Sequence, residues 1–96
     1  MEYLVLRVAI VGAAGMRLGR TSFAAMAGDA EGLIELDNSA VAKLSGNAIG
    51  PAGRGRLEER RAEIEEAATR LYGAGCATPL PDDGRWLLLL SALDLD

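Results

Sequence analysis

Histidine is absent from this chain of 96 residues. Its absence excludes Ser–His and Cys–His nucleophile activation, histidine general-base chemistry and histidine metal ligation together. Cysteine occurs once, at Cys76, so no internal disulfide forms and a reducing, cytoplasmic location is expected. No cationic residue adjoins Cys76 in the sequence, so it reads as an ordinary loop thiol. Aromatics are few: Tyr3, Phe23, Tyr72 and Trp86. Half of the residues are apolar, but 17 of them are Ala, which leaves a core built mainly on 15 Leu, four Val and four Ile. So thin a core suggests help from a partner surface. Excess basic charge is missing as well. The net charge of −4 argues against general nucleic-acid binding, which needs a basic footprint. Long apolar runs are lacking: Trp86-Leu87-Leu88-Leu89-Leu90 is too short to span a bilayer, and the N-terminus carries no basic signal-peptide region. No catalytic set, no metal ligands and no cofactor are expected, and neither a membrane nor nucleic acid as partner.

What is present reads as one small domain over residues 1–96. Residues 2–11 are nearly continuously apolar and predict a strand. Glycines break it, and residues 16–27 predict a short helix with Leu18, Phe23 and Met26 on one face. Residues 31–37 predict a second strand. Residues 38–45 admit two readings, a two-turn helix capped at Asn38-Ser39 or a hairpin with Ala40–Leu44 as a third strand. The polar Asp-Asn-Ser turn favours the hairpin. Residues 46–55, with four glycines and a proline, predict a loop. Residues 56–72 predict a helix with Leu57, Ile64, Ala68 and Leu71 on its apolar stripe and Gly73 as its stop. Residues 85–93 predict a buried strand. The order βαββαβ implies an α+β, ferredoxin-like sandwich, two helices on one face of a four-stranded antiparallel sheet. The alternative, βαβααβ, implies a small Rossmann-like α/β unit with three parallel strands.

The glycine turn carries the most specific chemical signal. Val8-Ala9-Ile10-Val11-Gly12-Ala13-Ala14-Gly15-Met16-Arg17-Leu18-Gly19-Arg20 resembles the opening of dinucleotide-binding reductases, notably the dihydrodipicolinate reductase family. In that family a first strand leads into a G-x-x-G-x-x-G-R turn. The resemblance covers about the first twenty residues, and three residues separate Gly15 from Gly19 where the family's pattern has two. It implies a nucleotide or phosphate seated on Gly12, Gly15 and Gly19 at a helix N-terminus, with Asp37 or Glu35 as the ribose-binding acid. That is the alternative reading.

Other clusters have plainer explanations. Arg54, Arg56, Arg60 and Arg61 are interleaved with Glu58, Glu59 and Glu63, as in an ion-paired helix face. Asp82, Asp83, Asp94 and Asp96 lack the spacing of a cation-binding loop and suit turns and a solvated tail. Ser45 and Lys43 are too poorly spaced for a Ser/Lys pair. The leading expectation is therefore a non-enzymatic interaction or regulatory module, acidic overall, which self-associates into a homo-oligomer or docks on a larger protein. Trp86, Leu88 and Leu90 of the apolar final strand are the expected contact residues.

Overall fold

Residues 16–27, expected as a helix, form strand. In the computed structural model, which describes residues 6–47, 50–81 and 83–95, β1 is Val8–Ile10, β2 is Gly15–Arg17, β3 is Arg20–Ala27 and β4 is Ala30–Leu36. Phe23, Ala25 and Ala27 are buried while Ala24 is exposed, a period of two. Alanine on both faces hides that period in the sequence. The first five residues of the chain, including the start of the expected 2–11 strand, lie outside the described residues.

β1 and β2 both pair antiparallel with the side of β3 that β4 leaves free. Ile10 stands opposite Ala25 and Gly15 opposite Ser22, so five steps on one strand match three on the other. The two extra residues bulge between Val11 and Gly15. Leu18-Gly19 then closes a two-residue hairpin turn, with φ of 52° and 79°. Two positive φ values give a type I′ turn, whose twist matches the flanking strands. Gly28-Asp29 turns β3 into β4.

After β4 the chain crosses back through helices, so the next strand runs parallel to β4. α1 is Asn38–Ser45, α2 is Gly50–Glu59 and α3 is Arg61–Gly73. The helix reading of residues 38–45 holds, and the hairpin does not form. Asp37 caps α1, its carboxylate accepting from the Ala40 N–H at 2.9 Å, and Gly46 closes it in the left-handed conformation. Residues 50–55, expected as loop, are the first half of α2. Pro51 sits in the first turn, where its missing N–H has no helical partner to lose. Buried Gly53 and Leu57 anchor α2 to the core. The single helix expected over 56–72 is broken at Arg60, whose φ and ψ of −98° and 17° leave the helical region.

β5 (Thr78–Pro79) and β6 (Trp86–Leu90) follow, with a 3-10 turn at Ala92–Asp94. The six-stranded sheet is mixed, in the order β1-β3-β4-β6-β5. The described residues form a small α+β domain with three helices. Among the described residues neither the four-stranded antiparallel sheet of the ferredoxin-like arrangement nor the three parallel strands of the Rossmann-like alternative forms, because β4 and β6 pair parallel within an otherwise antiparallel sheet. The helices bury one face: Ala40, Leu44, Leu57, Ile64, Ala67 and Ala68 meet Val8, Ile10, Phe23, Ile34, Leu36, Leu88 and Leu90. Trp86 lies over Gly32, where an added Cβ would fall 2.0 Å from the indole. Its Nε1–H donates to the Ala30 carbonyl at 2.9 Å, and Tyr72 meets it edge-on.

Candidate interaction surface

The face of the sheet turned away from the helices is a surface of three rows. Register fixes them. The middle row is Val11, Ala24, Leu33 and Leu87, joined by the Val11 N–H to the Ala24 carbonyl at 2.8 Å. On one side lie Ala9, Met26 and Glu31, with Arg85 beside Glu31. On the other lie Gly15, Ser22, Glu35 and Leu89. Leu33 is only 7% exposed, yet it stands apart from the core cluster. Leu89 is 46% exposed, and Val11 and Ala24 are also exposed. A shallow hollow of about 180 Å³ lies among Val11, Ala24, Met26, Glu31 and Arg85.

Glu35 is the buried charge of this face, 3% exposed. Arg17 and Arg20, flanking the hairpin turn, both reach it. The Arg17 Nη1 donates to Glu35 Oε2 at 2.7 Å, and Arg20 Nη1 stands 3.9 Å from Oε1. Asp37 also lies near Arg20, whose charge helps hold its carboxyl down, so two guanidiniums meet two carboxylates at this end of the face. At the opposite end, Arg85 is paired with Asp83, and Glu31 adds a negative charge that joins none of the ion pairs among the described residues.

The β1 and β5 edges of the sheet are closed to strand addition. Along β1 the outward groups are met by one stripe of the α2–α3 surface. The Val8 N–H donates to Thr69 Oγ1 at 3.0 Å and the Ile10 N–H to Glu65 Oε2 at 2.7 Å. The Arg61 Nη2 donates to the Gly12 carbonyl at 2.7 Å, and the Ala14 N–H to Glu58 Oε2 at 3.4 Å. Arg61 also pairs with Glu58 at 2.7 Å, and this bond holds the Glu58 carboxyl below its usual range. The other edge, β5, is two residues long and ends in proline, which has no N–H to offer.

The residues singled out in the sequence fall elsewhere. Trp86, Leu88 and Leu90 point to the helices and are core residues, because the alternation of β6 turns them inward. Its outward residues are Leu87 and Leu89. Gly12 lies in the bulge, Gly15 opens β2, and Gly19 sits in the hairpin turn. No helix begins after them, so the diphosphate cradle implied by the reductase resemblance does not form. Gly19 and Asp37 do share an open depression with Leu18, Arg20, Asn38 and Ser39. The Asp37 carboxylate is committed there to capping α1 and to the Ser39 hydroxyl at 2.6 Å.

Arg60 and Arg61 are ion-paired with Glu63 and Glu58, as their interleaving suggests. Asp82 and Asp96 lie outside the described residues. Among the described residues no group of three or more potential ligands is placed to hold a metal ion, and no helix is long and apolar enough to cross a membrane.

Glu35 enters the sequence reading only as a ribose-binding acid; its place at one end of the open face and its arginine partners were missed. The alternation Glu31-Leu33-Glu35 marks that face in the sequence. Arg17 and Arg20 could not be joined to it while residues 16–27 read as a helix. No protein-family model, curated protein or solved structure gives a significant match to this chain.

Proposed function

We propose that the chain is a non-enzymatic interaction module that docks on protein through the open face of its sheet. One observation carries this reading: the middle row of that face is apolar from Val11 to Leu87, and Leu89 beside it is nearly half exposed. Helices cover the other face, and side chains or proline close the β1 and β5 edges, so the open face offers an apolar surface to a partner. Charges of both signs border it, as is common at the rim of a specific interface. The exposed, unpaired Cys76 suits a reducing compartment, and we place the module in the cytoplasm.

A photo-crosslinking amino acid tests the reading in the cells that make the protein. Installed at Leu89 it is expected to give a discrete protein adduct, whatever the identity of the protein captured. Installed at Leu93, which is 94% exposed but off the face, it is expected to give none. Absence of an adduct from Leu89, or equal adducts from both positions, would overturn the proposal.

A further inference from the structure

We propose that the hollow between the β2 hairpin and the α1–α2 pair is a binding site for a small molecule with an apolar body and one carboxylate. It lies on the helix side of the sheet, where Thr21 shares the face of Phe23 and Ala25, and is separate from the docking face. The ladder that closes the β1 edge leads to it. The outward groups of every second residue, Val8, Ile10, Gly12 and Ala14, meet Thr69, Glu65, Arg61 and Glu58 in turn. The next rung would join Met16 to Arg54, one helical turn before Glu58. There the ladder stops. Glu58, the i,i+4 neighbour of Arg54, is taken by Arg61 and by the Ala14 N–H. Arg54 joins none of the ion pairs among the described residues.

Where strand and helix part, a hollow of about 450 Å³ opens, lined by Met16, Thr21, Val41, Gly53, Arg54 and Leu57. Small-molecule sites fall in the same range, roughly 300–1,000 Å³, and share its makeup of apolar walls with a few polar groups. Arg54 is the charged residue of this lining. Among the described residues the Thr21 hydroxyl donates only to the Met16 sulfur, a weak acceptor 3.8 Å away.

This lining selects the ligand. One guanidinium matches one carboxylate, which accepts from it through both oxygens. A phosphate monoester carries more charge than a single arginine offsets. A sugar would leave hydroxyls without partners against Met16, Val41 and Leu57.

Octanoate is the probe, followed by backbone amide NMR shifts of the whole chain. Saturable shifts are expected at Thr21, Val41 and Leu57. Acetate, which lacks the body, and 1-octanol, which lacks the charge, are each expected to bind at least tenfold more weakly. Arg54→Gln, at an exposed position, is expected to keep the folded spectrum and weaken octanoate on the order of tenfold, with Arg54→Lys recovering part of the loss. Equal affinity of wild type and Arg54→Gln, or of octanoate and 1-octanol, would overturn the carboxylate site. Shifts confined to Leu87 and Leu89 would place the acid on the docking face, overturning the hollow and leaving the docking reading standing. No saturable shift at all overturns the hollow as well. Binding at the hollow without a Leu89 adduct overturns the docking reading alone.

Discussion

Two residues show how much of the fold is decided at single positions. Leu18 holds a left-handed conformation in the hairpin turn, at a φ of 52°, where Asn or Gly is the usual occupant. The cost is of order 1–2 kcal/mol, and it is sustained by the paired strands on either side. Gly32 does the opposite service. It is strand residue and buried, and it leaves the space that Trp86 fills. Any side chain there drives the indole away from Tyr72 and from its bond to the Ala30 carbonyl. Gly32→Ala is therefore expected to destabilise the fold by about 1–3 kcal/mol, although alanine is otherwise the better strand residue. Urea denaturation followed by Trp86 fluorescence would read both the loss and the altered ring environment. An unchanged midpoint would mean that Trp86 does not rest on Gly32.

Among the elements, α1 makes the clearest test of a local rule. Only eight residues long, it depends on its cap and its packing rather than on propensity. Hydrogen bonds from the Ser39 hydroxyl, and then from the Ala40 N–H, hold the Asp37 carboxyl below its usual value of 3.8. A depressed carboxylate contributes stability that is present above the unfolded value and lost as pH falls through the folded one. Asp37→Ala is thus expected to cost about 1 kcal/mol at neutral pH. The gap from wild type should close as the pH drops below 3.8. Asp37→Asn keeps the cap and should flatten the same dependence. Thermal melts of the three proteins across that range would check it, and a gap independent of pH would refute the charged cap.

The same element shows what could be read in advance. Asn38-Ser39 marked a helix start one residue late, and Gly46 marked its end. The polar Asp-Asn-Ser turn favours the hairpin, and an isolated two-turn helix is poor in water. Burial of Ala40 and Leu44 reverses that preference, and burial is a tertiary fact. β4 and β6 were legible because their apolar runs are bounded by turn residues. β3 was not, since alanine at Ala24, Ala25 and Ala27 blurs the two faces. α2 was hidden by glycines that tertiary contact tolerates. The open face was half legible: the outward glutamates of β4 are visible in the chain, but their arginines come from a strand read as helix.

For the molecule as a whole, the apolar stock noted at the outset is divided unevenly. One side of the sheet is covered by three helices, and the other leaves Val11 and Leu89 nearly half exposed. A partner laid across that side adds stability only while it is bound. Ala24 is exposed in the single chain, so Ala24→Arg is expected to leave the circular dichroism spectrum and the melting temperature of the isolated protein unchanged. It sets a charge in the middle of the apolar row, and it is expected to abolish the adduct from a crosslinker at Leu89. An adduct of unchanged yield from the folded Ala24→Arg protein would mean that the open face is not where a partner docks.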